Sequence, residues 1–387
     1  MFSSALLHAP TPTVLIGSSS LSPSRRTFSA SNSSKLNCKN RLSMASSVRI
    51  VIVGDVHDDW ILEEDSKALE LLRVLIALLD EYTLVSPVSQ IWCCLQAGDF
   101  GNENVKLVRS IAALKIPKAA ILGNHDAWNT ITFSEKGKDA VQLQLESLGE
   151  EHVGYKRLDF HSLKISVIGG RPFSNGGQTF FRKQLLTKRK KKYIAISRIS
   201  DPGKKLPIRY GVGNMKESAK RICEAAIGTP KDHSIIILAH NGPTGLGSNM
   251  NDICGRDWIR GGGDHGDPDL AVAISQLKGS SSTTKYSIPL VVFGHMHKEL
   301  AFGNSPRKMI VIGDGDDNNT IYLNGAIVPR VKTQQPTTTL RAFTLINSKQ
   351  GKIQNISETW VSVTANNANI EEEHMLFTNN MPNAYSL

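Results

Sequence analysis

Seven side chains that can bind metal ions stand just behind strand-like apolar segments of the sequence: Asp55, His57, Asp99, Asn124, His240, His295 and His297. Asp55 and His57 are two residues apart, so on an extended segment both side chains can face one point. The last two histidines have the same spacing. Two carboxylates, one amide and four imidazoles, with no thiolate, suit divalent ions such as Mn, Fe or Zn better than a structural zinc site. The donor set is large enough for two ions.

The positions of these donors separate them from ordinary histidines. A lone histidine is more often a satisfied core or surface residue, and we leave the histidines outside the motifs in that class. Here each motif histidine follows a predicted strand and lies beside a glycine-containing turn. Open α/β sheets place their chemistry at the carboxyl ends of strands. Asp99, an anionic carboxylate, is suited to bridge two cations, whereas Asn124 offers only a neutral carbonyl oxygen.

Apolar periodicity predicts the elements that position these donors. Residues 48–53 form a short β-branched strand, and residues 61–82 carry apolar residues at helical spacing. Further strands are predicted at 91–97, 119–122, 164–168, 234–239 and 289–293, and further helices at 104–114 and 217–227. This repeated order of strand, loop and helix indicates a largely parallel sheet with helices outside. Antiparallel strands are predicted at 309–313, 320–328, 340–346 and 352–361.

The formal net charge of +10 is concentrated in two segments of the 387-residue chain. Residues 1–49 contain six basic and no acidic residues, and residues 188–209 contain nine basic residues and one acidic residue. The remainder is therefore mildly acidic, and we expect no nucleic-acid partner. The five cysteines fit no disulfide or zinc spacing. No apolar stretch reaches the ~20 residues of a membrane span. The oligomeric state does not follow from the sequence.

The composition divides the chain into segments. Residues 1–47 are rich in Ser and Thr, contain Arg and Lys and lack acids, which is typical of a disordered organellar transit peptide. We expect the chloroplast stroma, with the mitochondrion or a plain disordered tail as alternatives. Residues 48–364 form the predicted catalytic domain, interrupted by a basic loop insertion at 186–207. Residues 82–90 are unexpectedly polar, and residues 365–387 are predicted to be a flexible tail.

The motifs together resemble the signature of the calcineurin-like metallophosphoesterase superfamily over residues 48–346. They are Gly54-Asp55-Val56-His57, Gly98-Asp99-Phe100-Gly101-Asn102-Glu103, Gly123-Asn124-His125-Asp126, the strand-end His240, and Gly294-His295-Met296-His297. The resemblance implies an α/β fold, a four-layer αββα sandwich of two mixed β-sheets. With the predicted transit peptide, it suggests a plastid member of the plant or cyanobacterial type.

The resemblance also implies a dinuclear-metal-dependent phosphoesterase acting on a small phosphorylated substrate, a phosphate mono- or diester. One divalent ion is expected at Asp55, His57 and His297, and the other at Asn124, His240 and His295. Asp99 is expected to bridge the two ions at ~3.5–4 Å separation, with a bridging hydroxide attacking phosphorus in line. His125, held by a carboxylate such as Asp126, would stabilise the transition state or protonate the leaving oxygen.

Two other functions stay open at this point. Phosphoprotein phosphatases of the superfamily have Gly-Asp-x-Val-Asp-Arg-Gly and Gly-Asn-His-Glu, but here the second motif lacks the arginine and the third ends in Asp126. Some members keep the fold as a catalytically weak scaffold, and the presence of His125 and all seven donors argues against that function here.

The glycine-rich segment after His240 is predicted to form a loop over the mouth of the pocket. In that loop Arg256 could bind a phosphate oxygen and Trp258 could stack on a ring. Arg171 could approach from the other side. The alternative is that the charged residues of this loop pair only with their neighbours.

Overall fold

The computed structural model describes residues 47–79, 91–187, 210–279, 286–303, 305–313, 320–335 and 338–379. Of the two units into which the chain divides, Met1–Met44 lies outside these residues, and Ala45–Leu387 contains every element below. The predicted transit peptide 1–47, the polar segment 82–90 and the basic segment 186–207 fall almost entirely outside the described residues. These three interpretations therefore stay predictions.

The strands of the described chain form two mixed sheets. The strands are β1 Ser47–Val53, β2 Ile91–Gln96, β3 Lys118–Ala120, β4 Arg157–Phe160, β5 Ile165–Gly169, β6 Ser234–Leu238, β7 Leu290–Phe293, β8 Ile310–Ile312, β9 Ile321–Asn324, β10 Val331–Gln335, β11 Thr338–Lys349, β12 Lys352–Val363 and β13 Ala368–Thr378. The first sheet has the order β13-β12-β11-β1-β2-β3, with β10 beside β11, and the second has the order β4-β5-β6-β7-β9-β8.

The helices other than α3 connect parallel strands of one sheet, whereas α3 follows the last strand of the first sheet and precedes the first strand of the second. They are α1 Leu62–Leu79, α2 Val105–Ala112, α3 Ala140–Leu148, α4 Lys183–Leu186, α5 Met215–Ala226 and α6 Pro268–Lys278. Asn214 caps α5, because its side-chain oxygen accepts the backbone N–H of Glu217 at 2.9 Å. None of the described helices is long and apolar enough to cross a membrane.

Strand alternation in the two sheets divides the core into an inner part between the sheets and an outer part beneath the helices. Successive residues of a strand face opposite sides of its sheet. Ile50 of β1 lies in the same apolar cluster as Ile236 of β6, between the sheets, whereas Val51 lies in a cluster with Leu69 of α1. Ile237 likewise joins the cluster that contains residues of α5 and α6. This arrangement is the predicted αββα sandwich.

The parallel strands of each sheet end together. In the first sheet Val53 of β1 stands opposite Gln96 of β2, and Gln96 stands opposite Ala120 of β3. In the second sheet β5, β6, β7 and β9 are also parallel. Because parallel strands in register finish at one edge, the loops that follow them are neighbours.

The prediction of a flexible tail at 365–387 is wrong for residues 368–378, because they form β13. This strand pairs antiparallel with β12. Its glutamates find partners there, since Ser357 donates to Glu373 at 2.8 Å and Ser362 donates to Glu371 at 2.7 Å. The partly buried Phe377 packs against the core. Pairing with β12, at the edge of the long β11–β12 hairpin, thus orders this polar segment.

Asp65, in the first turn of α1, binds two buried arginines. Its carboxylate lies 2.8 Å from Arg330 and 2.6 Å from Arg341. Arg341 also pairs with Glu64 at 2.6 Å. The side chains of Asp65 and both arginines are at most 2% exposed. This ion-pair cluster fastens α1 to the antiparallel part of the first sheet.

Candidate metal centre

The structure brings all seven predicted donors to the strand ends of the sandwich. The first sheet contributes the donors that follow β1, β2 and β3, which are Asp55, His57, Asp99 and Asn124. The second sheet contributes the donors that follow β6 and β7, which are His240, His295 and His297. The site therefore lies where the loops of both sheets meet.

The donor atoms form three overlapping groups, within each of which they lie no more than 4.8 Å apart. The groups are Asp55 with His57 and His297, then His57 with Asp99 and His125, then Asp99 with His240 and His295. Asp99 and His57 each belong to two groups. Groups of this composition could hold a metal ion.

In the first group, two imidazoles and a carboxylate converge. Nε2 of His57 lies 2.9 Å from Nε2 of His297. Oδ2 of Asp55 lies 3.4 Å from the same His297 nitrogen and 3.8 Å from the His57 nitrogen.

Around Asp99, donors approach from both sheets. Oδ2 of Asp99 lies 3.3 Å from Nε2 of His240 and 4.0 Å from Nε2 of His57. The same His240 nitrogen lies 3.0 Å from the amide oxygen of Asn124. Nδ1 of His240 lies 2.6 Å from the backbone carbonyl of Ala97, to which it can donate, and this fixes the ring. Asp99 thus belongs both to the group that contains His57 and to the group that contains His240.

Four donors adopt left-handed backbone conformations. The φ angles are 45° at Asp55, 45° at His57, 51° at Asp99 and 67° at His295. Such conformations cost about 1–3 kcal/mol each at non-glycine residues and persist only where their surroundings fix them. The loops are therefore held in the shape that points these side chains at one place.

Two glycines of the motifs allow carboxylates to approach the backbone. A Cβ atom at Gly123 would lie 2.2 Å from Oδ1 of Asp99, and one at Gly294 would lie 2.2 Å from Oδ1 of Asp55. Any larger residue would displace a donor, which explains why glycine precedes Asn124 and His295.

A cation fits this donor set on structural grounds. Oδ2 of Asp55 is buried and accepts no hydrogen bond from the described residues, while Oδ1 accepts the backbone N–H of His295 at 2.9 Å. An unpaired buried oxygen costs about 1–3 kcal/mol, and more when it is charged. A cation would satisfy it, together with the two imidazole nitrogens beside it.

The pKa shifts of the centre show which imidazole is free to bind a cation and which carries a competing proton. Burial lowers the pKa of His295 to about 3, so its imidazole is neutral. Burial disfavours a charged His240 too, but the Asp99 carboxylate outweighs this and raises the pKa of His240 to about 10. Burial would raise the pKa of Asp99, yet the His240 charge holds it below its ordinary value. A cation must displace the His240 proton, so binding weakens as the pH falls.

The sequence of the chain matches the family model of calcineurin-like phosphoesterases over residues 48–299. The chain belongs to this family. Its structure resembles that of the phosphopantetheinyl hydrolase PptH from Mycobacterium tuberculosis, with 12% sequence identity and a TM-score of 0.34, covering 72% of this chain and 89% of the other. No curated protein matches the chain.

In this phosphoesterase His125 lies beside the donors and is oriented by Asn102. Nδ1 of His125 lies 2.6 Å from the amide oxygen of Asn102, to which it can donate, and Nε2 lies 4.0 Å from Oδ2 of Asp99. Burial lowers the pKa of His125. The sequence predicts no role for Asn102, and the one signal it offers is that Asn102 stands in the same turn as Asp99.

The prediction that Asp126 holds His125 is wrong. The Asp126 carboxylate accepts backbone hydrogen bonds from Asp99 and Phe100, both at 3.0 Å, and from Gly123 at 2.8 Å. Burial raises its pKa well above the ordinary value, and the nearby Asp99 adds to this effect. Asp126 therefore connects the loops after β2 and β3. The imidazole of His125 is oriented by Asn102 instead.

The prediction that Arg171 binds substrate is also wrong. Its side chain is 1% exposed and lies 2.6 Å from Asp267 and 3.1 Å from Asp269. The guanidinium also stacks on Phe180. A guanidinium buried beside two carboxylates stabilises the fold, and Arg171 is not among the residues that line the pocket.

A cavity of about 790 Å³ opens over the metal centre, lined by Asp99, Asn124, His125, His295, His297 and residues of the surrounding loops. Trp258 lines it, as predicted, and is 44% exposed. Arg256 is not among the lining residues; a Cβ atom on Gly263 would lie 2.1 Å from its guanidinium. Its neighbour Asp257 pairs with Arg307 at 3.2 Å. The structure thus places the Arg256 guanidinium against Gly263 and outside the cavity lining, where the phosphate contact was expected.

Proposed function

We propose that this chain hydrolyses phosphate mono- or diesters with two divalent metal ions. The observation that carries the proposal is the position of Asp99, whose carboxylate belongs to two donor groups at the floor of an open cavity. A dinuclear centre needs two donor groups that share a carboxylate.

The proposed ligands of one ion are Asp55, His57 and His297, and those of the other are Asn124, His240 and His295, with Asp99 shared. When bound, the ions would neutralise charge on the phosphoryl oxygens and lower the pKa of water that attacks phosphorus. The chain supplies the fixed donors, the glycine turns that admit them and the cavity that receives the ester.

His125 has a separate task in this proposal. It lines the cavity, its Nδ1 is occupied by Asn102, and its Nε2 is directed toward the donors. From there it can stabilise negative charge on a phosphoryl oxygen or give a proton to the leaving oxygen. Asn102 acts through His125, as a positioning residue.

We expect His125→Ala to keep its metal content and to lose about 10²–10⁴ in kcat, the usual range for a general acid or base. Turnover of bis(p-nitrophenyl) phosphate and metal analysis of the same sample would measure this. Asn102→Ala should lose less, because it frees the ring without removing it, and Asn102→Asp should restore most of the rate. Undiminished turnover in His125→Ala would exclude this residue from the mechanism.

The proposal itself is tested by removing the metals. Chelator-treated protein should not hydrolyse p-nitrophenyl phosphate or its bis ester, and adding Mn²⁺, Fe²⁺ or Zn²⁺ should restore activity with a stoichiometry near two. Comparing the two esters separates a monoesterase from a diesterase. A metal-loaded protein inactive on both esters and on phosphopeptides would instead support the scaffold alternative.

A further inference from the structure

An aromatic series extends from the metal centre along one wall of the cavity. The indole of Trp128 stacks on the His125 ring, with centroids 4.6 Å apart and an interplanar angle of 12°. Phe181 follows at 6.1 Å from Trp128. Arg182 fixes this wall, since its guanidinium lies over Phe181 and donates to the carbonyl of Ala127. Trp128 nevertheless stays 44% exposed and lines the cavity.

A second aromatic series begins at a donor from the other sheet. The ring of His265 stacks on His295 with centroids 6.0 Å apart, and Trp258 meets His265 edge-on at 4.9 Å. His265 is fixed because Nε2 lies 2.6 Å from the carbonyl of Asn175, to which it can donate. Trp258 forms the outer end of this series and is as exposed as Trp128.

A third feature of the cavity is the charge on its wall. Among the described lining residues Arg307 carries the only guanidinium, and it is committed to Asp257 at 3.2 Å and to the carbonyl of Gly255 at 2.6 Å. Glu299 is exposed on the same wall and makes no ion pair with any described residue. Away from the metal donors, the described wall thus offers aromatic faces and a negative charge but no uncommitted cation. A leaving group with further phosphates would find no uncommitted guanidinium or ammonium group among the described residues there.

We propose that this site accepts phosphate esters whose leaving group carries a planar, uncharged aromatic or heteroaromatic ring in contact with Trp128 and Trp258. The inference rests on the proposed phosphoesterase function and names its substrate class. In the reaction, water forms the new P–O bond and the P–O bond to the ring-bearing group breaks. The protons of water end on the phosphate and on the released hydroxyl. Planar rings gain from stacking on exposed indoles, which saturated rings of the same size do not.

Ring preference can be measured without turnover. Calorimetric titration of the Mn²⁺-loaded protein with phenylphosphonate and with cyclohexylphosphonate compares two ligands of similar size that cannot be hydrolysed as esters. We expect phenylphosphonate to bind about 2- to 10-fold more tightly, the range of one aromatic contact. Benzyl phosphate and cyclohexylmethyl phosphate should differ in KM in the same direction. Adenosine 5′-monophosphate tests whether the ring is bound one sugar away from phosphorus.

Single substitutions test whether Trp258 causes the preference for planar rings. Trp258→Ala should remove most of the discrimination between the two phosphonates, and Trp258→Phe should retain it. Phe302→Ala is the matched control, because Phe302 is 61% exposed but does not line the cavity. Equal dissociation constants for the two phosphonates in the unmodified protein would overturn the inference even if both esters were hydrolysed. Discrimination without any ester hydrolysis would support the ring site and overturn the proposed function instead.

Discussion

Asp99→Asn is expected to lower kcat on phosphate esters by about 10³-fold or more and to reduce the number of bound ions. Oδ2 of Asp99 lies 3.3 Å from His240 and 4.0 Å from both His57 and His125. Asparagine keeps the shape and an oxygen that can accept the His125 backbone N–H, which Oδ1 of Asp99 now accepts at 2.9 Å. It loses only the negative charge that two cations would share. Metal-ion catalysis supplies several kcal/mol, and each 1.36 kcal/mol is tenfold in rate.

The measurement pairs steady-state kinetics with metal analysis and a thermal unfolding curve, which shows that the variant is folded. Asp59→Asn is the control, since Asp59 is an exposed carboxylate of the loop after β1 and belongs to none of the donor groups. It should keep full activity. An Asp99→Asn protein with two ions and normal turnover would refute the dinuclear proposal.

Asp65→Ala is expected to destabilise the fold by about 3–5 kcal/mol, the usual cost of leaving a buried charge without its partner. The substitution removes the carboxylate that Arg330 and Arg341 share at 2.8 and 2.6 Å. It also removes an acceptor for the backbone N–H of Ile61 at the start of α1. Because domains are stable by only about 5–15 kcal/mol, much of the protein would unfold at low denaturant concentration.

Equilibrium unfolding in urea measures this loss. Glu63→Ala serves as the comparison in the same helical turn, because Glu63 pairs with Lys67 at the surface, where its side chain is 78% exposed. An exposed pair of this kind is worth about 0.3–0.5 kcal/mol. If Asp65→Ala cost no more than Glu63→Ala, the buried cluster would contribute nothing to stability.

The donors could be predicted from sequence because their signal is local. Each follows an apolar run, and a parallel sheet brings all such run ends to one edge whatever the length of the loops between them. The position of Asp99 in the site could be predicted without knowing its partners, because its negative charge and its place at a strand end are both visible in the sequence. The same rule led to the error at Arg171, because strand ends also collect structural ion pairs. Its partner Asp267 is 96 residues away in sequence, and nothing near Arg171 reveals it.

Partners chosen by tertiary packing account for the other differences. Asp126 and Asn102 are both polar neighbours of the donors, and only the fold determines which one reaches His125. Residues 368–378 fall within the predicted flexible tail. The open edge of β12 supplies the hydrogen bonds that make them a strand.

The division of donors between two sheets has a consequence for synthesis. His57 and His297 lie 2.9 Å apart in space but 240 residues apart in sequence. A chain growing from its amino terminus exposes both carboxylates of the centre long before the ribosome reaches His240. A nascent chain can therefore offer an ion only the carboxylates, the Asn124 amide and two imidazoles, His57 and His125. The complete centre exists only once residue 297 has been made and the second sheet has packed onto the first.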